Sequence, residues 1–501
     1  MQIDKNIFRE YDIRGVAGVK FDPKVVEEYE KWYGPFPGIT INLDTAKAIG
    51  AAYASIIRHQ NPPGAKVVVG YEVRPYADEL KAAFVSGITE MGVEVIDIGK
   101  STTPLIYFLT SFLNFDGGVN ITGSHNVYFY NGFKLMGRGT APVYAEDLQH
   151  MRRMIESDNY EVEKPSTPAL KSDKIDGYEI YRKYILEHFS LKRKIKIVID
   201  CGNGTPGLFA HDLFTALGCE IVKELYFEPD AYFPNHVPDP ESPHNMIDLM
   251  AAVKETGAEL GIAFDADGDR VGFVNEKGEY IYGDDILLLL AKDVLSRNPG
   301  KKILYEVKCS RVLDQVIRDL GGIHLMHRTG HAPIKDTMRK DHEVILGGET
   351  AGHFYFQENY FKIDDGFWGA AMVLKILAES EQTISQLLSF IPHTVKMPEI
   401  KLPCEDKDKF EIVQKIKDHF AQQYKVIDID GARILFDDTS WGLVRASNTS
   451  PYLTIRVEAD TDARVLEIKN LLADQLELYP QVHDKLDRTA VSSFTGRLGY
   501  V

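Results

Sequence analysis

Cysteine is scarce: the 501 residues contain four, Cys201, Cys219, Cys309 and Cys404. They are far apart, form no CxxC pair and have no histidine beside them at zinc spacing. This excludes a disulfide frame and a cysteine-ligated zinc site and leaves reduced thiols. Long apolar runs are missing as well. No stretch approaches the ~18 unbroken apolar residues of a membrane span. The segment Met1-Gln2-Ile3-Asp4-Lys5 is acidic and polar where a signal peptide needs an apolar run. A cytoplasmic protein with no membrane partner is expected. Basic excess is also absent, with 57 Lys and Arg against 74 Asp and Glu and a formal charge of −17. Nucleic acid as a general partner needs a basic surface and is excluded on this ground. A small phosphorylated ligand needs only a few convergent Arg and Lys residues in a cleft, and remains open.

What is present is an ordinary globular balance, 44% hydrophobic and 26% charged. The length exceeds what one core supports and predicts three or four domains. A β-branched run, a glycine-containing turn and a helical stretch recur in that order. Val67-Val68-Val69-Gly70 reads as a strand, Ala77 to Thr89 as a helix and Val93 to Ile98 as the next strand. The pattern returns at Ile195–Ile199 with a helix through Leu208–Leu217, and at Ile303–Val307 with a helix near Arg311–Leu320. Such alternation predicts α/β units with mixed or parallel sheets. After Pro392 the chain reads as α+β, with apolar alternation at Tyr452–Val457 and an amphipathic helix near Ala463–Leu476. Residues 31–42, dense in Pro and Gly, read as a loop insertion. The expected units are 1–165, 166–296, 297–396 and 397–501.

Four motifs carry chemistry. In Asp265-Ala-Asp267-Gly-Asp269-Arg270, carboxylates at alternate positions sit between two strand-like runs. Hard oxygen ligands clustered this way suit Mg²⁺ or Ca²⁺. An EF-hand is the first rival, but its sixth position would be Arg270 where glycine is needed, and its flanks would be strands where helices are needed. Arg270 beside the triad is placed to bind a phosphoryl oxygen bidentately. Thr122-Gly123-Ser124-His125-Asn126, followed by Asn131-Gly132-Phe133-Lys134, reads by itself as a polar turn. Beside a metal triad, Ser124 becomes a candidate phosphoryl carrier and Lys134 a neutraliser of developing charge. Gly348-Glu349-Thr350-Ala351-Gly352-His353 offers a carboxylate to adjacent sugar hydroxyls. Arg445-Ala-Ser447-Asn448-Thr449 is either a phosphate cradle or an Asn/Ser turn.

In this order the motifs resemble the α-D-phosphohexomutase superfamily, most closely its bacterial phosphomannomutase/phosphoglucomutase branch. Phe8-Arg9-Glu-Tyr11-Asp12-Ile13-Arg14-Gly15, Gly70-Tyr-Glu-Val-Arg74, Val307-Lys308-Cys309-Ser310-Arg311 and Arg328-Thr329-Gly330-His331 extend the likeness along nearly the whole chain. The resemblance implies three similar α/β domains with mixed sheets plus a C-terminal α+β domain, in a heart-shaped arrangement around a central cleft. Ser124 is then the phosphoserine and, with Asp265, Asp267 and Asp269, a ligand of Mg²⁺. Arg14, Lys134, Arg270 and His331 are catalytic, with Lys134 or His331 as general base. Lys308, Glu349, Ala351 and His353 face the sugar. Arg445, Ser447, Asn448 and Thr449 hold the phosphate that is not reacting.

The implied reaction moves a phosphoryl group between C1 and C6 of glucose or mannose phosphates through a hexose 1,6-bisphosphate, which also serves as activator. A monomer or weak homodimer suffices, because each chain contains a full cleft. The chain departs from the family pattern at Val127 (usually Pro), Gly123 (commonly Ala), Ala351 (usually Ser) and Ala332 (commonly Ser). Ala351 removes one sugar contact, worth roughly 0.5–1.5 kcal/mol. Three alternatives remain: a glucosamine-phosphate mutase, a phosphatase with an Asp nucleophile, and a non-catalytic sugar-phosphate-binding homologue.

Overall fold

The computed structural model describes residues 1–491 apart from 19, 21, 22, 34, 62, 63, 170, 173, 174 and 449. Four sheets succeed one another along the chain. The first runs in space as Ile13–Val16, Tyr130–Gly137, Gly117–Ile121, Lys66–Tyr71, Glu94–Lys100 and Lys171–Ser172. Its last four strands are parallel, and an antiparallel pair closes the other edge. The second runs Tyr280–Ile281, Val271–Val274, Leu260–Phe264, Lys196–Asp200 and Glu220–Leu225, again mixed. The third runs Ile323–His327, Lys302–Glu306, Val344–Gly348 and Phe354–Phe356. The fourth is antiparallel throughout, built on Tyr452–Ala459, Ser440–Ala446 and Ala432–Asp437.

The β-branched runs form strands because both faces of each are covered. Val67, Val68 and Val69 are fully buried, as are Ile197, Val198 and Ile199. One apolar core passes continuously from the helix Thr103–Phe112 of the first unit through the second and third sheets. The fourth sheet has its own core under the helices Lys409–Phe420 and Asp462–Leu476.

Two local expectations are corrected. The helix Pro23–Tyr33 takes the first residues of the supposed loop 31–42, and Ile41 is buried and bridges Ala17. Pro35 and Pro37 cannot enter a helix interior, so they end this helix, and the loop begins later than composition suggested. The helix expected through 208–217 is broken at Phe209 into a 3₁₀ turn, Thr205–Leu208, and the α-helix Ala210–Leu217.

The topology gathers the motifs. Gly70–Arg74, Thr122–Asn126, Asp265–Arg270, Val307–Arg311, Arg328–His331 and Glu349–His353 all follow the carboxyl ends of strands, where α/β sheets bind ligands. The Arg445 loop joins two strands of the fourth sheet.

Candidate active site

Asp265, Asp267 and Asp269 lie in the tight connection between Leu260–Phe264 and Val271–Val274, with carboxylate oxygens within 4.8 Å of one another. Gly268 carries a φ of +76°, which lets the loop fold back on itself. All three side chains are fully buried. Asp267 Oδ2 accepts from Thr103 Oγ1 at 2.6 Å, Thr122 Oγ1 at 3.0 Å and Lys134 Nζ at 2.8 Å. Lys134 also bonds Asp269 Oδ2. Burial, with Asp269 and Asp267 close by, holds the Asp265 carboxyl well above the usual range. Asp267 Oδ1 and Asp269 Oδ1 are buried without a hydrogen-bond partner. Crowded, partly unsatisfied carboxylate oxygens fit a hard divalent cation. The flanking strands exclude the EF-hand.

Arg270 Nε donates to Asp265 Oδ2 at 2.9 Å and its Nη1 to Asp239 Oδ1 at 2.8 Å, while Nη2 is buried and unpartnered. Lys134 stays protonated. Burial works against its charge, but Asp267 and Asp269 outweigh burial and raise its pKa.

Ser124, 2% exposed, has a φ of +51°, in the left-handed region that costs a non-glycine residue roughly 1–2 kcal/mol. Its N–H donates to Thr122 Oγ1 at 2.7 Å, and the same hydroxyl donates to Asp267, so one threonine joins the serine loop to the acidic loop. Ser124 Oγ lies 3.2 Å from His125 Nδ1. Burial, then Arg270 and Arg14, keep His125 neutral. Arg14 is held by Asp12 and reaches Asn126 Oδ1 at 3.0 Å.

On the opposite wall, Glu349 accepts from Gly330 N–H and from the Tyr355 hydroxyl, each at 2.7 Å. His353 Nδ1 lies 3.0 Å from Asp364 Oδ2 and 3.9 Å from Asp269 Oδ1. Although burial opposes its charge, Asp269 and Asp364 raise its pKa to about 9. His331 is half-buried, with both ring nitrogens shielded from solvent and unpartnered, and desolvation with Lys335 and Lys134 nearby keeps it neutral. Lys308 pairs with Glu241 and Glu399 at 2.9 Å each. Ala351 is half-buried in the same turn.

At the far end Arg445 Nε donates to Asp430 Oδ2 at 2.7 Å, and Asp430 also takes the Thr329 N–H at 3.0 Å. Asn448 Nδ2 donates to the Tyr11 hydroxyl at 2.7 Å, which itself donates to the Thr329 carbonyl at 2.6 Å. Ser447 Oγ accepts the Ser450 N–H at 3.2 Å. Thr449 lies outside the described residues.

The structure thus brings Lys134 to the acidic triad, Arg14 to the serine loop, and His353 to the triad's edge. It gives His331 no hydrogen bond among the described residues. Sequence reasoning missed Thr103, Asp239, Asp364 and Asp430, each of which pairs with a candidate residue, and Lys335, which pairs with Asp364; it quoted Asp12 only within a signature. It quoted Arg74 only as a signature. Asp12 sits in the bend just before the strand Ile13–Val16, two residues from Arg14, and opposite charges at that short spacing were a signal that was available. The remaining partners come from distant segments.

Four sheets and a buried acidic centre beside a serine loop define a four-domain enzyme with a candidate cation site. Sequence models of the phosphoglucomutase/phosphomannomutase family match it in series: alpha/beta/alpha domain I at residues 5–161, domain II at 179–278, domain III at 282–394 and the C-terminal domain at 399–475. A phosphomannomutase/phosphoglucomutase of Pseudomonas putida is 39% identical over 472 residues, 94% of this chain and 95% of that one. A phosphoglucomutase of Neisseria gonorrhoeae is 38% identical, covering 96% and 98%. The crystal structure of a phosphoglucomutase/phosphomannomutase family protein from Burkholderia thailandensis superposes with a TM-score of 0.82 at 36% identity, over 95% of this chain and 98% of that one. The chain belongs to the phosphoglucomutase/phosphomannomutase family.

Proposed function

We propose that the chain interconverts the 1- and 6-phosphates of glucose and mannose, with Ser124 as phosphoryl carrier and a hexose 1,6-bisphosphate as intermediate and activator. The observation that carries this reading is the single Thr122 hydroxyl that ties the strained Ser124 to a buried acidic triad bridged by Lys134. Asp265, Asp267 and Asp269, with Ser124 or its phosphate, would hold Mg²⁺, which when bound supplies charge neutralisation for in-line transfer.

The chain's own groups do the rest. Lys134, Arg14 and Arg270 stand round Ser124 and the triad and offset charge on the phosphoryl oxygens. His331, neutral with free ring nitrogens, is suited to take a proton from the attacking sugar hydroxyl. Lys134, held protonated, is not. Glu349, Lys308 and His353 face the sugar. Arg445, Ser447, Asn448 and Thr449 receive the second phosphate, and this cradle must accept either end as the bisphosphate turns over. Reading C2 weakly, such a site accepts both sugars. The same reading divides the chain near residues 165, 296 and 396 and treats the protein as a cytoplasmic monomer or weak homodimer.

A coupled assay with glucose 1-phosphate, Mg²⁺ and a trace of glucose 1,6-bisphosphate tests it. Glucose 6-phosphate should appear with wild type and vanish with Ser124→Ala. Release of inorganic phosphate in place of the isomer would overturn the mutase reading. A strong preference for glucosamine 1-phosphate would overturn the glucose and mannose assignment.

A further inference from the structure

The loop that carries Ser124 enters the left-handed region at that residue, and one side chain gathers the loop's carbonyls there. Arg74 follows the strand Lys66–Tyr71, and its side chain is fully buried. Its Nη2 donates to the carbonyls of Ser124 and of Asn126, the latter at 2.6 Å. Its Nη1 donates to the carbonyls of Val127 at 2.7 Å and Tyr130 at 3.0 Å. Its Nε donates to Glu72 Oε1, which also takes the Gly123 N–H at 2.6 Å. A guanidinium has five N–H donors in a planar fork, and here all five are used, four of them on one loop.

The fit is close. A Cβ on Gly123 would lie 2.7 Å from Arg74 Cζ and 2.7 Å from the Tyr130 carbonyl, so glycine lets the loop settle on the guanidinium. The ring of Phe233, from the second unit, covers Arg74 with its centroid 5.0 Å from Cζ. The Val73 N–H reaches Thr205 Oγ1 of the same unit at 3.1 Å. The seat of Arg74 is therefore fixed from both units, independently of any ligand.

We propose that Arg74 is a positioning residue for phosphoryl transfer: by collecting the carbonyls of 124, 126, 127 and 130 it holds Ser124 in its left-handed conformation and aims Oγ. Carbonyls gathered on one side of a loop point its N–H groups and side chains to the other. Glu72 completes the device by anchoring both the guanidinium and the loop's entry at Gly123. Misplacement of a reacting atom by about 1 Å costs on the order of 10²-fold in rate without altering ground-state contacts. The inference rests on the proposed role of Ser124.

The test compares wild type, Arg74→Lys, Glu72→Gln, the double variant and Ser124→Ala in the Mg²⁺ assay, together with amide exchange across residues 123–130. Lysine keeps the charge but has three donors and no fork. Arg74→Lys should lower kcat about 100-fold with KM within threefold. Glu72→Gln should lower kcat about tenfold. The double variant should be no worse than Arg74→Lys, because both substitutions act on the same Arg74–Glu72 contact. Exchange across 123–130 should quicken in both single variants.

A wild-type kcat in Arg74→Lys, a loss confined to KM, or fully additive effects would overturn the positioning role and leave the mutase reading standing. An inactive wild type, or an active Ser124→Ala, would instead sink the mutase reading. In that case exchange judges the clamp alone: unchanged protection in Arg74→Lys overturns it, and faster exchange upholds it. Should Arg74→Lys not fold, Glu72→Gln carries the same comparison.

Discussion

The two ends of the site are held together in different ways. At the reacting end Asp267 takes three side-chain donors on one oxygen, Lys134 bridges two carboxylates, and every group is 3% exposed or less. At the far end the fourth unit meets the first through the Asn448–Tyr11 hydrogen bond and the Arg9–Asp406 ion pair, and meets the third through Asp430 and Thr329. A dense buried network is set before substrate arrives and stabilises charge that develops in the transition state. Single hydrogen bonds between units, worth roughly 0.5–1.5 kcal/mol each, can break and re-form within a turnover. Damage to the first end should therefore appear in kcat, and damage to the second in KM.

The largest effect expected is at Lys134. Lys134→Met keeps the length of the side chain but leaves Asp267 and Asp269 without their shared cation. In steady-state assays kcat should fall about 10³-fold while KM stays within threefold. An equal loss spread into KM would dissolve the distinction between the ends. Tyr11→Phe is the counterpart. It removes the hydroxyl that joins Thr329 to Asn448, a loss of about 1.4 kcal/mol, so KM should rise about tenfold with kcat within twofold. A kcat defect like that of Lys134→Met would show that the far end is part of the reacting network.

A third prediction concerns what stands behind the reacting end. Gly366 N–H bonds the Gly268 carbonyl at 3.1 Å, so the start of the helix Gly366–Ala378 packs on the acidic loop. Asp365 caps that helix through the Phe367 and Trp368 N–H groups and also accepts from Tyr181 and Tyr360. Burial outweighs these hydrogen bonds and raises its pKa to about 6. A carboxyl raised on folding binds more protons folded than unfolded between about pH 4 and 6. Its contribution to stability is present at the acid end of that window and is lost as pH rises through it. Asp365→Asn should cost about 1–3 kcal/mol in denaturant unfolding. It should also remove the fall in stability between pH 4 and 6, and an unchanged slope would refute the assignment.

How much of this could be read from the chain depends on whether a signal is local. The β-branched runs at 67–69, 195–199 and 303–307 became strands because a short continuous apolar run and the turn that follows it are properties of neighbours. Asp265, Asp267 and Asp269 were legible for the same reason: one tight loop carries all three. The partners that hold them were not. Thr103, from the start of a helix, and Lys134, from a strand of the first sheet, reach Asp267 from another unit, Asp364 reaches His353 from beyond a hairpin, and Arg74 meets the serine loop only after two parallel strands pair. The supposed loop at 31–33 failed for a different reason. Proline and glycine density reports that a helix must stop nearby, but it does not give the residue at which the helix stops.

The smallest effect expected sharpens the comparison most directly. Arg9 Nη1 and Asp406 Oδ2 are 2.9 Å apart across the first and fourth units, with side chains 22% and 41% exposed, and Asp406 also pairs with Lys409 at 2.7 Å. An ion pair this open to water is worth about 0–1 kcal/mol and is screened by salt. Asp406→Asn should therefore change stability by less than about 1 kcal/mol and KM by less than twofold, with the difference disappearing at high salt. Tyr11, buried, and Asn448, half-buried, in the same junction should then account for nearly all of its grip. A KM effect from Asp406→Asn as large as that of Tyr11→Phe would mean that the fourth unit is held by charge at its rim, and the far end would have to be described as an electrostatic latch.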